Sequence, residues 1–307
     1  MAEKWRFNDF FTHAQLLRWR EQIPKLTPCR NFSGPPNVGQ WTTLSYAAAR
    51  LCLPGVRIVL AACDESFFTD PFFKSWRVKG AVRFAAIIAD TAMPRHLMHA
   101  GISGEALLLE AASCGAAARW VTRNYRKKES PVRLHPGEVL AAVIPLGLAK
   151  EPAAKKPRQL RRPLHWLMEG GGKDWSEHAI KAAHAVWEAP NTVPLPPLKL
   201  RLASQSLSLM GKPNSLDTGI ALLHMEAALC DISRQWNLET GIKAPAAKVL
   251  FTGTEDQISQ EFSHAVLFPF GAGTNAAPGR QDAATHPVRV PGPKPSDRPG
   301  KTFAKGH

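Results

Sequence analysis

An internal similarity between two stretches that lie 116 residues apart constrains this chain more than any other sequence feature. The stretch "GISGEALLLEAASC" (101–114) aligns without a gap on residues 217–230 and is identical to them at five of fourteen positions. The identical pairs are Leu107/Leu223, Glu110/Glu226, Ala111/Ala227, Ala112/Ala228 and Cys114/Cys230. Because both stretches are rich in Ala and Leu, two ordinary amphipathic helices of similar composition are the alternative explanation.

The residues before each stretch favour a repeated unit. At the same offset "VRFAAIIAD" (82–90) falls on "LKLRLASQS" (198–206), and both have the short apolar pattern of a β-strand. Each is followed by a loop of equal length and then by a stretch with the three- and four-residue apolar spacing of a helix. A repeat of this length is too long for a solenoid. It predicts a duplicated half-domain, which would form an internal pseudo-dimer.

Further elements complete an irregular mixture of helices and strands, which indicates the α+β class. We predict a helix in "WTTLSYAAARLCL" (41–53), a buried strand in "VRIVLAAC" (56–63), and a helix from Trp175 to Glu188 with Asp174 or Ser176 as its cap. The stretch "GEVLAAVIPLGLA" (137–149) reads as a turn of helix that runs into a strand. Two closing strands are expected in "AKVLFTGT" (247–254) and "HAVLFPFG" (264–271).

The net charge of +14 is unevenly distributed. Residues 150–162 contain six Lys or Arg against one Glu, and residues 271–307 contain six against two Asp. No zinc-finger spacing, helix-turn-helix pattern or aromatic RNA-binding strand accompanies this charge. We therefore expect a general affinity for phosphates but no specific nucleic-acid partner. No apolar run is long enough to cross a bilayer, so no membrane association is expected.

The cysteines and histidines carry no strong signal of a metal or catalytic site. The five cysteines are odd in number and scattered, so neither a disulfide framework nor a zinc site is indicated. His96 and His99 lie three residues apart, but two ligands without a carboxylate or thiol pair make a weak metal site. Since the N-terminal residues also lack the apolar core of a secretory signal, the cytoplasm is the expected compartment.

Five stretches between about Arg30 and Gly241 carry a resemblance to a known family. They are "WRVKGAVRFAAIIAD", "GISGEALLLEAASCGAAARWVTR", "AAVIPLGLAKEPAAKKPRQLRRPLHWL", "AIKAAHAVWEAPN" and "SLDTGIALLHMEAAL". In order and spacing they resemble the nitroreductase-like flavoproteins, in particular the subgroup in which two half-subunits are fused in one chain.

This resemblance implies a nitroreductase-like fold that binds FMN, with the two similar helices packed together at the centre of a pseudo-dimer. The implied division is a first half at 1–150, a basic connector at 151–163, a second half at 164–270 and a disordered basic tail at 271–307. The implied activity is reduction of a flat organic acceptor with NAD(P)H by a monomer that acts as its own dimer. Because the flavin performs the difficult step, no catalytic side chain is required.

The resemblance also implies which residues bind FMN. Arg30 and Arg161 match positions near the phosphate, Asn191 matches a position beside the flavin ring, and Trp120 with Val121 matches the strand that approaches it. Each has an alternative: the arginines as solvated surface cations, Asn191 as a turn residue, and Trp120 as an ordinary core aromatic. Lys79 and Gly80 are expected to form a turn before a strand, which is a structural role.

The sequence departs from the family pattern after Asn191. Pro194 and Pro196 stand where typical members have amide side chains, and proline cannot donate a hydrogen bond to the flavin ring. Arg30 matches the second Arg of the family's N-terminal phosphate-binding pattern, and the first Arg of that pattern is missing. The strand that contains Trp120 and Val121 continues with Thr122 and Arg123, where relatives often have two glycines. The alternative function is therefore a non-catalytic member of the same fold that binds another ligand or a partner.

Overall fold

The computed structural model describes residues 7–239 except 27, 69–77, 151–160, 173–174, 204–205 and 213. All described residues belong to one compact unit. The helices are α1 His13–Gln22, α2 Val38–Arg50, α3 His96–Ser113, α4 Leu164–Leu167, α5 Glu177–Glu188 and α6 Leu216–Glu239. The strands are β1 Phe32–Gly34, β2 Val56–Ala62, β3 Arg83–Asp90, β4 Ala117–Ala118, β5 Glu138–Ala149, β6 Lys199–Ala203 and β7 Ser206–Met210.

The main sheet is antiparallel, and β5 is its longest strand. The strand order is β1-β5-β3-β2, and β4 also pairs with β5. On the edge of β5 away from β3, β4 pairs with Leu146 and Gly147 and β1 pairs with Leu148 and Ala149. The strands β6 and β7 form a separate antiparallel hairpin. The mixed helix and sheet content predicted from the sequence is confirmed.

Strand β3 is buried on both of its faces, which explains its continuous apolar run. Ala85, Ile87 and Ala89 pack into the larger apolar core together with the helices. The alternate residues Phe84, Ala86 and Ile88 pack into a second apolar cluster that contains Phe67 and Phe68. A strand with only one buried face would instead alternate between apolar and polar residues.

Helices α3 and α6 form the centre of the larger core. Residues 98–111 of α3 are buried on every side, as are residues 216–225 of α6. The two helices approach each other at glycines. A Cβ atom at Gly101 would lie 2.3 Å from the carbonyl oxygen of Leu216, and one at Gly219 would lie 2.1 Å from that of Met98. The two stretches that resemble each other in sequence are therefore packed together, backbone against backbone.

Three of the other helices, α1, α2 and α5, begin at residues whose side chains cap them. Thr12 before α1 and Asn37 before α2 both form reciprocal capping boxes with a Gln three residues later. Ser176 caps α5 by accepting a hydrogen bond from the N–H of Ala179 at 3.3 Å. The predicted Ser176 cap is confirmed; Asp174, the other candidate, lies outside the described residues.

Two local predictions were wrong. The loop between β6 and α6 does not match the one after β3, because residues 206–210 fold back on β6 as β7 and bury Leu207 and Leu209. Strand β5 begins at Glu138 without a preceding turn of helix, because Glu138 and Leu140 pair with Asp90 and Ile88 of β3. The predicted closing strands and the basic tail lie outside the described residues. Of the helices in the described part of the chain, none has the length and apolar character to span a membrane.

We expect Gly219→Ala to destabilise the fold by about 1–3 kcal/mol, because the added methyl group would overlap backbone atoms of Met98 and Ile102. Gly34→Ala is the matched control, since no heavy atom lies within 4 Å of its added Cβ; it should change stability by less than about 0.5 kcal/mol. Urea unfolding followed by far-UV circular dichroism measures both. Equal unfolding midpoints for the two variants would contradict the close helix contact.

Candidate functional site

A cavity of about 940 Å³ lies between the main sheet and the C-terminal ends of α1 and α3. Its walls come from residues 28–32, the turn at Lys79 and Gly80, residues 115–118, and Ala149 with Lys150 at the end of β5. Sites for drug-sized ligands and cofactors commonly have volumes of about 300–1,000 Å³. The cavity is therefore large enough for a cofactor.

The charged residues around this cavity are mostly cations. Lys25, Arg30, Lys79 and Lys150 line it, and Glu65 is the one carboxylate among its described lining residues. Such an excess of positive charge in a concave site attracts anions. The cavity therefore favours a ligand that carries a phosphate or carboxylate.

Backbone hydrogen bonds fix the segment that carries Arg30. The N–H of Lys79 donates to the carbonyl of Arg30 at 2.8 Å, and the N–H of Phe32 donates to the carbonyl of Lys79 at 2.8 Å. Gly80 has a φ of +73°, and a Cβ there would lie 2.2 Å from the carbonyl oxygen of Phe32. Only glycine permits this approach, so the expected structural role of this turn is to hold Arg30 in the cavity wall.

Arg119, which the sequence interpretation did not select, lies beside Arg30. Its Nε and Nη1 atoms are fully buried, and neither has a hydrogen-bond partner among the described residues. Burial, with a further contribution from the positive charge of Arg30, lowers the pKa of Arg119 to about 10. The available sequence signal was a single Arg between the apolar residues of "AAARWV", a pattern in which a cation is unexpected.

Trp120 and Val121 point into the protein interior. The Nε1–H of Trp120 donates to Oε2 of Glu105 at 2.6 Å, and its ring packs against Gly104, where a Cβ would lie 2.3 Å from the ring. Val121 is buried in the second apolar cluster and exchanges backbone hydrogen bonds with Val143. Neither residue is among those that line the large cavity. Their contact with a flavin therefore stays a prediction.

Glu105 also pairs with His224 across the contact between α3 and α6. Both side chains are completely buried, and Nε2 of His224 lies 2.7 Å from Oε1 of Glu105. Nδ1 of His224 lies 3.2 Å from the carbonyl oxygen of Ala185, which can only accept, so Nδ1 carries a hydrogen. Each buried polar atom in this network thus has a partner, and the network joins α3, α6, α5 and Trp120.

Arg161 and Asn191 line a second, much smaller pocket of about 50 Å³. Arg161 donates to the carbonyl oxygen of Glu188 at 2.9 Å, at the end of α5, and its guanidinium lies 5.4 Å from the ring centre of Trp187. Pro196 forms part of the same pocket. The structure therefore brings Arg161 and Asn191 together and places Arg30 in a different cavity, and the roles of these residues in cofactor binding stay predictions.

Asp217 connects the small pocket to the segment that contains Trp120. Its carboxylate accepts hydrogen bonds from the N–H and the hydroxyl of Thr192 at 2.6 and 2.7 Å. The hydroxyl of Thr122 in turn donates to the carbonyl oxygen of Thr192 at 3.2 Å. Residues 117–122 therefore run from the wall of the large cavity to the loop beside the small pocket. Burial raises the pKa of Asp217, although the bonds from Thr192 oppose that shift.

The thiols and metal-ligating side chains form no reactive centre in the part of the chain that the structure describes. Burial raises the pKa of all five cysteine thiols, to about 11 for Cys63 and Cys230, so none is an activated nucleophile. Among the described residues, no group of three or more His, Cys, Asp and Glu side chains could hold a metal ion.

Comparison with protein families identifies the fold that builds this site. Residues 55–229 match the model of the family described as "Putative TM nitroreductase". The chain belongs to this nitroreductase family. The match contains α3, most of α6 and the wall residues 79–80, 115–118 and 149–150 of the large cavity.

The comparison with solved structures returned several nitroreductases, one of which reaches a TM-score of 0.50. A crystal structure described as a "putative nitroreductase" from Thermotoga maritima covers 70% of this chain and 85% of its own at a TM-score of 0.50 and 18% identity. A nitroreductase with bound FMN from Desulfitobacterium hafniense covers 46% of this chain and 93% of its own at a TM-score of 0.36 and 16% identity. At such identities the first likeness concerns the fold alone. A comparison with curated protein sequences returned no match.

We expect Glu105→Ala to destabilise this nitroreductase-family chain by about 3–5 kcal/mol, because it leaves the buried Nε1–H of Trp120 and the buried Nε2 of His224 without their partner. The control is Glu129→Ala, which breaks an exposed pair with Arg126 and should cost about 1 kcal/mol or less. Chemical unfolding curves measure the free energy of unfolding of both variants and of the wild type. A loss at Glu105 no larger than that at Glu129 would show that the network is not structural.

Proposed function

We propose that this chain is an FMN-dependent oxidoreductase of the nitroreductase type that reduces a flat organic acceptor with NAD(P)H. The observation that carries the proposal is the cation-lined cavity of about 940 Å³ in a chain that belongs to a nitroreductase family. Its size suits a cofactor, and its charge suits the phosphate of FMN. The buried Nε and Nη1 atoms of Arg119 beside Arg30 also fit an anionic group, since they have no acceptor among the described residues.

The chain would contribute binding and orientation more than acid–base chemistry. Arg30 would bind the phosphate, because a guanidinium offers several fixed donors to phosphate oxygens. The other expected FMN contacts would come from the small pocket, through Arg161 and Asn191, and from the 117–122 segment, through Trp120 and Val121. When bound, FMN supplies the capacity to accept a hydride from a nicotinamide and to pass electrons on to the acceptor.

We further propose that the chain is an internal pseudo-dimer and works as a monomer. The halves would be residues 1–150 and 164–270, joined by the basic connector 151–163, with the tail 271–307 outside both. Support comes from the packing of α3 against α6 through Gly101 and Gly219. Light scattering on the purified protein would then give a mass near 33.6 kDa; twice that mass would contradict the proposal.

The cytoplasm is the proposed compartment. None of the five cysteines takes part in a disulfide bond, and a reducing compartment keeps thiols in the reduced state.

The first test is whether the purified protein retains FMN. After incubation with FMN and desalting, we expect flavin absorbance to remain with the wild type. Arg30→Ala should weaken FMN binding by roughly 10- to 150-fold, as expected for loss of a charged hydrogen bond to phosphate. Arg133→Ala, which removes an exposed cation away from the cavity, is the control and should leave FMN binding unchanged.

The outcomes separate the two candidate functions. If Arg30→Ala binds FMN as the wild type does, Arg30 has no role in the phosphate site. A wild type that does not hold FMN favours the non-catalytic alternative, for which Pro194 and Pro196 are the motivating residues.

A second test addresses the electron donor. With FMN bound and oxygen excluded, NADH or NADPH should bleach the flavin absorbance, because hydride transfer reduces the flavin. A protein that holds FMN but is reduced by neither nucleotide would retain the cofactor assignment and exclude NAD(P)H as the donor.

A further inference from the structure

Two nitrogen atoms of the Arg119 side chain lack a hydrogen-bond partner among the described residues. Its Nε and Nη1 atoms are fully buried without an acceptor. By contrast, the buried side chains of Glu105, Glu110 and Asp217 each take part in at least two hydrogen bonds. An unpaired buried cation destabilises a fold unless a partner supplies opposite charge.

The neighbours of Arg119 do not supply that charge. The nearby charged residue that acts on its pKa is Arg30, whose positive charge repels it, and no carboxylate among the described residues contributes. The thiol of Cys29 is the other group that acts on it, but burial raises the pKa of that thiol and so keeps it neutral near pH 7. The guanidinium of Arg119 therefore lies close to a second cation, and no carboxylate among the described residues compensates its charge.

The location of this pair connects it to the large cavity. Arg119 is not itself a lining residue, but it directly follows Ala117 and Ala118, which line the cavity together with Arg30. The N–H of Cys29 donates to the carbonyl oxygen of Ala118 at 3.5 Å, which holds the two segments side by side. Arg119 as a whole is only half-buried, so part of the residue stays open to a ligand.

We propose that Arg119 binds the phosphate group of the ligand in this cavity, together with Arg30. Two planar guanidinium groups offer parallel N–H donors that match phosphate oxygens, and a dianionic phosphate would neutralise both charges. The phosphate can come from FMN, in which case the inference rests on the proposed function, or from free phosphate. Arg119 is thus a binding residue whose uncompensated charge lowers the stability of the protein when no ligand is bound.

The decisive comparison is between FMN and riboflavin, which differ only in the phosphate. Their affinities for the full-length protein are measured by flavin fluorescence at constant ionic strength, for the wild type and for Arg119→Met. We expect FMN affinity to fall by roughly 10- to 100-fold and riboflavin affinity to change by less than about threefold. Arg119→Lys, which keeps the charge but not the fork of donors, should give an intermediate loss of FMN affinity.

The matched control is Arg133→Met, the same substitution at an exposed position outside the cavity. It should leave both affinities unchanged, which separates a local contact from a general effect of net charge. If Arg119→Met lowers FMN and riboflavin affinity equally, the phosphate contact is refuted while the flavoprotein assignment stands. Unchanged FMN affinity refutes it as well.

A second experiment uses inorganic phosphate and does not depend on flavin binding. Potassium phosphate should raise the melting temperature of the wild type above that in potassium chloride of equal ionic strength, and should raise that of Arg119→Met less. Without phosphate, Arg119→Met should melt at the same or a higher temperature than the wild type, because an apolar side chain replaces an unpaired buried charge.

The phosphate experiment distinguishes the proposed phosphate site from the proposed flavin function. If the wild type binds neither flavin but gains stability from phosphate through Arg119, the flavin function fails and the phosphate site stands. If phosphate stabilises wild type and variant equally and FMN binding is insensitive to Arg119, the phosphate site is overturned.

Discussion

Where α3 crosses α6, Gly101 and Gly219 let two helix backbones meet with no side chain between them. That approach brings Glu105 of α3 and His224 of α6 within 2.7 Å in a fully buried position. Glu105 in turn holds the indole of Trp120. Since Trp120 belongs to the segment whose earlier residues line the large cavity, the position of that cavity wall depends on how closely the helices pack.

Among the described residues, three buried carboxylates contrast with Arg119 in how well their polar atoms are paired. The carboxylates of Glu105, Glu110 and Asp217 each accept hydrogen bonds from partners on other elements, so they join parts of the fold that are distant in sequence. Arg119 has no such partner among the described residues. Violations of polar satisfaction in natural proteins concentrate at functional sites. The contrast between well-paired carboxylates and the unpaired nitrogen atoms of Arg119 therefore supports the proposed ligand site near Arg30.

The segment from Ala117 to Thr122 relates the two pockets to each other. Its first residues line the cation-rich cavity, and Thr122 at its end bonds the loop that follows Asn191. The small pocket beside that loop contains Trp187 and Pro196, with Arg161 bonded to the end of α5. One end of the segment is therefore suited to an anion. The other end lies beside the small pocket, next to the loop that contains the exposed Pro194.

The sequence by itself determined the local elements and the family. Spacing of apolar residues located α2, β2, β3 and the two similar helices, and Ser176 marked the start of α5, because period and capping are properties of neighbouring residues. It also placed Arg30 among the candidate residues. Only the tertiary structure decided that residues 206–210 form β7, that Glu105 faces His224 across 119 positions, and that Arg119 lies unpaired beside Arg30. These are contacts between segments far apart in the chain, and no local pattern encodes which buried side chain meets which.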